Sequence, residues 1–140
     1  MIQGSCLCGN VTFEVEELDG PIGHCHCRTC RKAHSAAFAT TARVLRTHFH
    51  WRSGQDTRSS FESSPGKHRH FCSRCGSQLM AEWSDQPSVI LRMGAVDTDP
   101  GSSPQGHIWV SDQVPWLSYG DGLPRYSEGR DSPRVDDDGG

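Results

Sequence analysis

Two short cysteine turns decide how this chain is expected to fold: Cys6-Leu7-Cys8-Gly9 near the N-terminus and Cys72-Ser73-Arg74-Cys75-Gly76 in mid-chain. In a metal knuckle, a residue after the last cysteine often takes a positive φ. Glycine adopts that conformation at no steric cost, and both turns end in glycine. Together they offer four thiolates, the number that closes a structural zinc site. Because only tertiary structure can bring the turns together, we infer a site that joins distant strands, with the ligands Cys6, Cys8, Cys72 and Cys75.

The other three cysteines lie within six residues, in Cys25-His26-Cys27-Arg28-Thr29-Cys30. One loop can place three sulfurs around a zinc ion and leave its fourth position open, as in catalytic sites. Three thiolates on one Zn²⁺ give a net charge near −1, which favours a soft exchangeable ligand such as a substrate thiolate. The competing interpretation is a closed Cys₃His site that also contains His24, His26 or His34.

The number and clustering of the cysteines also indicate which cofactor and which cellular compartment to expect. Seven cysteines in close clusters argue against a disulfide framework and favour thiolate metal sites in a reducing compartment. Iron–sulfur chemistry is the other thiolate option, but the Cys-x-x-Cys-Gly knuckle favours zinc. We expect two zinc ions per chain, with partial loss of the one at the three-cysteine site. The N-terminal residues lack a signal-peptide pattern, and no apolar run approaches the roughly 18 residues of a membrane span. We therefore expect a cytoplasmic protein without membrane contact.

Short segments with strand character dominate the rest of the chain. The stretch 11–16 alternates apolar and polar residues, and further extended segments are predicted around 37–41, 48–51, 69–72, 78–83, 89–94 and 107–110. Helical turns are expected only over 28–35 and around 43–46. This pattern predicts a mainly β protein. We predict one zinc-binding domain over residues 1–126 and a disordered acidic tail over 127–140.

Charge is distributed unevenly along the chain. The stretch 24–74 holds ten Lys or Arg residues against two acids, a formal charge of +8, although the whole chain carries −3. Such a field suits an anionic small molecule or a phosphate backbone. Arg28, Arg31 and Lys32, next to the three-cysteine cluster, are candidate contacts for the carboxylates of a thiol substrate; ordinary solvated charge is the competing interpretation. Because the overall charge is negative and no basic stretch is interleaved with aromatic residues, we do not expect a nucleic-acid partner.

Three cysteine motifs in this order resemble the glutathione-dependent formaldehyde-activating (GFA, CENP-V/GFA) family. The similar stretches are 4–11, 25–32 and 71–79, and later His107-Ile108-Trp109-Val110-Ser111, Pro115-Trp116 and Asp121-Gly122-Leu123-Pro124. The resemblance implies an Mss4-like fold of small antiparallel β-sheets organised around zinc. It also implies the same division of ligands: a structural zinc on Cys6, Cys8, Cys72 and Cys75, and a second, exchangeable zinc on Cys25, Cys27 and Cys30.

The activity implied by the resemblance is that of an S-(hydroxymethyl)glutathione synthase, a carbon–sulfur lyase that joins or separates glutathione and formaldehyde. The leading hypothesis is therefore a zinc-dependent enzyme that acts on a glutathione-like thiol and an aldehyde. The sequence assigns no general acid or base. The alternative is a non-catalytic, zinc-structured binding module for an anionic partner, since a fold does not carry one function across a family.

Overall fold

The computed structural model describes residues 1–135, and within them β-structure predominates. The helix α1 spans Arg28–His34, and short 3₁₀ turns lie at Arg46–His48, Met93–Ala95 and Val110–Asp112. The strands are β1 (Ile2–Ser5), β2 (Thr12–Val15), β3 (Gly23–Cys25), β4 (Ala39–Leu45), β5 (Phe49–Ser53), β6 (Arg58–Ser64), β7 (Lys67–Cys72), β8 (Gln78–Trp83), β9 (Ser88–Arg92) and β10 (His107–Ile108). The predicted mainly β class is confirmed.

Backbone contacts divide the chain into two compact units, each built from two chain segments, although the sequence predicted one domain over residues 1–126. The first unit comprises Met1–Pro21 and Ala42–Ser102. Within it, β1, β2 and β5 form one antiparallel sheet, and a second sheet has the strand order β4-β9-β8-β7-β6. Cys6 directly follows β1 and Cys72 ends β7, so the two predicted knuckles lie at the ends of strands.

The hydrophobic core of the first unit explains why apolar and polar residues alternate in its strand β2. In β2, Phe13 and Val15 are buried while their neighbours are half-exposed, as the period of two predicts. Phe13 stacks on Phe49 with ring centroids 5.2 Å apart. The same apolar cluster includes two of the cysteines, Cys6 and Cys72. The first cysteine of each knuckle is therefore part of the hydrophobic core.

The second unit comprises Ile22–Thr41 and Ser103–Gly140. In it, β3 pairs antiparallel with the first residues of β4 and parallel with β10. Its buried apolar cluster is small: Cys25, Cys30 and Ala39, with Cys27 and Ile108 packed against them. Small apolar cores of this kind are commonly supplemented by a metal or disulfides. Three of the five cluster members are cysteines, so metal binding and folding are expected to be coupled here.

Three parts of the structure differ from the sequence prediction. The helical turn expected around 43–46 is wrong: β4 continues to Leu45 because Ala42 and Val44 are buried in the core, and the 3₁₀ turn follows at Arg46–His48. The strands β1, β3 and β6 were not predicted, because they are short or, as in β6, mostly exposed and polar without apolar alternation. The segment predicted as a disordered tail is hydrogen bonded as far as residue 135: the N–H groups of Trp109 and Ser111 donate to the carbonyls of Glu128 and Ser127 at 2.8 and 3.0 Å. Main-chain pairing there does not depend on apolar side chains, so composition did not reveal it. Residues 136–140 of the predicted tail lie outside the described residues.

Among residues 1–135, none of the helices has the length and apolar character needed to cross a bilayer.

Candidate metal centres

The first unit brings four sulfurs together. The Sγ atoms of Cys6, Cys8, Cys72 and Cys75 all lie within 4.8 Å of one another. Cys6 and Cys8 are separated by 3.6 Å, and Cys8 and Cys72 by 3.8 Å. A tetrahedral zinc with Zn–S bonds of about 2.3 Å has sulfur–sulfur edges of about 3.8 Å, whereas a disulfide is about 2.05 Å long. The donor set and its spacing therefore fit a four-thiolate zinc site.

Backbone N–H groups point at these sulfurs, as the knuckle pattern predicted. The N–H of Val11 donates to Cys6 Sγ at 3.2 Å. Gly9 and Gly76 both have φ of +80°, and each donates its N–H back to the carbonyl of the first cysteine in its turn. The predicted positive φ after both cysteine pairs is confirmed. Each turn thus has the conformation that directs main-chain dipoles towards sulfur.

Ser77 connects the two knuckles. Its hydroxyl accepts the N–H of Leu7 at 2.9 Å and lies 3.2 Å from Cys75 Sγ. The Ser77 hydroxyl, the Ser77 N–H and the Cys8 N–H lower the pKa of Cys75 to about 5. Cys75 is therefore a thiolate at neutral pH, the form that binds a metal.

The second unit gathers the other three sulfurs. The Sγ atoms of Cys25, Cys27 and Cys30 lie within 4.8 Å of one another, and no histidine nitrogen of the described residues belongs to that cluster. Cys25 ends β3, Cys27 precedes α1, and Cys30 lies within α1 with its N–H donated to Cys27 Sγ at 3.4 Å. This geometry favours a three-sulfur site over the closed Cys₃His alternative.

Negative charge is shared unequally among the three sulfurs. Hydrogen bonds from Cys25 and Cys30, with a further contact to the Thr29 hydroxyl, lower the pKa of Cys27. The interactions with Cys27 and Cys30, together with burial, raise the pKa of Cys25. Cys27 is therefore the sulfur that ionises readily, whereas a thiolate at Cys25 needs a cation to compensate its charge. This is the electrostatic behaviour expected of a cation site.

The candidate substrate contacts lie on α1. Arg28 and Lys32 are exposed, and Arg31 is half-buried. The main-chain N–H of Arg28 donates to Asp112 at 3.3 Å, so its side chain is not held by that bond. Within the described residues, the Nε atom of Arg31 is buried without a hydrogen-bond partner. Of the three, Arg31 has the clearest unmet demand for an acceptor.

A group of imidazoles in the second unit was not predicted from the sequence as a site. His107 Nε2 lies 2.7 Å from Asp121 Oδ2, and His107 Nδ1 lies 2.8 Å from His26 Nε2. His24 joins the group through its contact with His107, with ring centroids 4.9 Å apart. The sequence could reveal these residues only singly, because no spacing rule relates positions 24, 107 and 121. His107 and Asp121 lie in stretches that carry the family resemblance, and His24 immediately precedes another such stretch.

A cavity of about 340 Å³ lies beside this group. Its lining includes Asp121, Gln113, Tyr119 and Arg125. The Tyr119 hydroxyl donates to Gln113 at 2.7 Å and accepts from Arg125 Nε at 3.0 Å, which holds the wall of the cavity together. The second unit therefore combines a three-sulfur cluster, a buried imidazole group and a polar cavity.

Comparison with known proteins agrees with this arrangement. A sequence model of the glutathione-dependent formaldehyde-activating enzyme family matches residues 1–112, which include all seven cysteines. The chain belongs to this family. The predicted family membership is therefore confirmed.

Two relatives illustrate the similarity. A curated Halomonas elongata protein, provisionally named a glutathione-dependent formaldehyde-activating enzyme, is 29% identical over 131 residues, which cover 84% of this chain and 80% of the relative. A crystal structure of a Rhodobacter sphaeroides protein from a structural-genomics programme has a TM-score of 0.59 at 22% identity, covering 71% of this chain and 92% of that one. The second likeness concerns the fold alone.

Proposed function

We propose that this protein is a zinc-dependent carbon–sulfur lyase of the S-(hydroxymethyl)glutathione synthase type. It joins a glutathione-like thiol to an aldehyde such as formaldehyde, or separates the adduct, at Cys25, Cys27 and Cys30. Cys6, Cys8, Cys72 and Cys75 hold a second zinc ion that stabilises the first unit. The family membership and the name of the Halomonas elongata relative support the reaction class.

The observation that carries the proposal is the difference between the two sulfur clusters. One contains four sulfurs, and the other contains three without a histidine among the described residues. Structural zinc sites are closed by four protein ligands, whereas catalytic sites keep one exchangeable position. The three-sulfur cluster is thus the one able to accept a ligand from solution.

A zinc ion held by Cys25, Cys27 and Cys30 would lower the pKa of a substrate thiol and favour its thiolate form near neutral pH. In the synthesis direction the S–H bond breaks and a carbon–sulfur bond forms. The carbonyl π-electron pair moves onto oxygen, which takes up a proton. The reverse reaction breaks the carbon–sulfur bond and returns the carbonyl. No oxidant or reductant is required in either direction.

The chain's own residues orient the cluster and the substrate. The Cys30 N–H and the Thr29 hydroxyl contact Cys27 Sγ at 3.4 Å each and fix its direction. Arg31 follows Cys30 directly in the chain. Its buried Nε–H has no hydrogen-bond partner within the described residues and suits a carboxylate acceptor. Arg28 and Lys32 add exposed positive charge, which attracts an anionic thiol such as glutathione over longer distances.

The test is to follow the exchange between glutathione, formaldehyde and their adduct by NMR, with and without the zinc-loaded protein. We expect faster exchange with the native chain and the uncatalysed rate with the Cys27→Ser variant. Cys75→Ser is the matched control, because it removes a thiolate from the other cluster. An exchange rate equal to that without protein, in a sample shown to contain both zinc ions, would refute the proposed activity.

A further inference from the structure

We propose that His24, His107 and Asp121 form a third metal site, which binds a divalent first-row transition ion through imidazole and carboxylate donors. This site is separate from both cysteine clusters and does not depend on the proposed lyase activity.

The three donors are already close together. One ligand atom from each of His24, His107 and Asp121 lies within 4.8 Å of the other two. His107 Nε2 and Asp121 Oδ2 are 2.7 Å apart. Two neighbouring ligands at 90° on a metal with bonds of about 2.05 Å are about 2.9 Å apart, which is only slightly longer. A small outward movement of Asp121 is therefore enough to admit an ion.

The other nitrogen of each imidazole is held by a protein group. His24 Nδ1 lies 2.8 Å from the Thr40 hydroxyl, which leaves Nε2 for a ligand. His107 Nδ1 lies 2.8 Å from His26 Nε2, which leaves Nε2 facing Asp121. Metal-binding histidines almost always engage their second nitrogen in this way, because the bond fixes the ring orientation and the tautomer. Both histidines thus have the orienting contacts of a metal ligand.

Burial and access also suit an ion. His107 is fully buried, whereas the Asp121 side chain is 38% exposed. Asp121 lines the 340 Å³ cavity, so an ion on this carboxylate would face a space able to hold water or a small ligand. The ring of Tyr119, which also lines this cavity, stacks on His107 with centroids 4.3 Å apart and restrains the imidazole. The site therefore combines a restrained, buried imidazole with a carboxylate that solvent can reach.

The donor set determines the class of ion. Two imidazoles and one carboxylate suit Fe²⁺, Co²⁺, Ni²⁺ or Zn²⁺, whereas thiolate clusters select softer ions. The cluster of Glu17, Asp19 and His48 in the first unit differs, since it offers a single imidazole and Asp19 already accepts the Leu45 N–H at 2.7 Å. Two oriented imidazoles distinguish the proposed site.

The test is a titration of the purified full chain with Co²⁺ alone, followed by absorption spectroscopy and equilibrium dialysis. Co²⁺ on thiolates gives intense charge-transfer bands in the near ultraviolet, whereas Co²⁺ on imidazole and carboxylate gives only weak visible bands. We expect one Co²⁺ per chain that contributes visible bands without charge transfer. Ring-nitrogen NMR of the Zn²⁺-titrated chain should show shifts at His24 and His107 and none at the half-buried His50 of the first unit.

The variants separate a metal site from a simple hydrogen-bonded pair. Asp121→Asn keeps an acceptor for His107 but loses the charge, and we expect the Co²⁺ affinity to fall at least tenfold. Thr40→Val removes the contact that orients His24 and should weaken binding roughly 10- to 100-fold. Asp131→Asn, which removes a carboxylate of the same unit that belongs to none of the metal-ligand clusters within residues 1–135, should bind Co²⁺ like the native chain.

Two results would overturn the inference: a native chain that binds Co²⁺ only with thiolate charge transfer, or an Asp121→Asn variant that binds Co²⁺ as tightly as the native chain does. An unchanged near-ultraviolet circular dichroism spectrum verifies that each variant is folded. The glutathione exchange assay is scored separately. Co²⁺ bound at His107 would support this site whatever the exchange assay gives, and only the zinc-loaded chain tests the proposed lyase function.

Discussion

Replacing Gly54 by alanine tests whether the turn at Gly54 packs against the backbone that follows the first cysteine knuckle. Gly54 has φ of +87°, and a Cβ at this position would lie 2.6 Å from both the Asn10 carbonyl oxygen and the Val11 Cα. Gly66 has a similar φ of +79°, but a Cβ added there would meet nothing within 4 Å. The two alanine variants therefore share the backbone strain and differ in the steric clash.

The expected magnitudes follow from these two contributions. A left-handed backbone conformation costs an alanine about 1–2 kcal/mol, which is the whole effect expected for Gly66→Ala. Displacing packed backbone adds about 1–3 kcal/mol, so Gly54→Ala should lower the free energy of unfolding by about 2–5 kcal/mol. Because the Val11 N–H donates to Cys6 Sγ at 3.2 Å, the displaced backbone should also weaken the four-sulfur site.

Urea denaturation of the zinc-loaded variants measures the first effect, and the rate of zinc transfer to a chromogenic chelator measures the second. Gly54→Ala should show the lower denaturation midpoint with an unchanged m-value, and faster zinc release than Gly66→Ala. Equal destabilisation of the two variants, or equal rates of zinc release, would refute the inferred contact between this turn and the knuckle.

Three further outcomes are expected. Cys27→Ser should reduce the zinc content from two ions per chain towards one, as measured by metal analysis; retention of both would contradict the ligand assignment. Arg31→Ala should raise the KM for glutathione roughly 10- to 150-fold with little change in kcat, because a charge-assisted hydrogen bond contributes about 1.5–3 kcal/mol and each 1.4 kcal/mol is tenfold. The exposed Lys32→Ala is the control, and equal effects of the two variants would argue against a specific contact. The hydrogen bond to Asp19 raises the pKa of His48. Burial alone would raise the pKa of Asp19, but the Leu45 N–H and His48 outweigh burial and lower that pKa. This pair should therefore stabilise the fold fully between about pH 4 and pH 6.5, and lose that contribution as the pH falls or rises beyond these limits. Thermal denaturation of Asp19→Asn against the native chain should show its largest difference in that window, and a difference that grows above it would contradict the sign.

Local patterns predicted the parts of the fold that depend on neighbouring residues. The period of two in 11–16 located β2, and the segment predicted over 78–83 coincides with β8. The short helix expected over 28–35 is α1, which ends in a left-handed Ser35. The strands β1, β3 and β6 were missed because their residues are held by partner strands rather than by an apolar alternation of their own.

The cysteine clusters could be predicted from the sequence, whereas the imidazole group could not. Each knuckle is a local motif, so the grouping of the sulfurs into four and three followed from spacing and from the family resemblance. The imidazole group was not predictable, because His24, His107 and Asp121 come from three distant parts of the chain. The parallel pairing of β10 with β3 places His107 opposite His24, and no sequence pattern specifies that register.

The sequence by itself determined the kind of chemistry available: seven thiols, their two clusters, and the glycines whose φ of +80° lets each knuckle turn. These are properties of residue type and short spacing, which act over a few covalent bonds. Only the tertiary structure decided that no described histidine closes the three-sulfur cluster, and that a fully buried His107 connects Asp121 to His26. The physical reason is that burial and long-range hydrogen bonds depend on which strands pair, and strand pairing is settled by the packing of the whole unit.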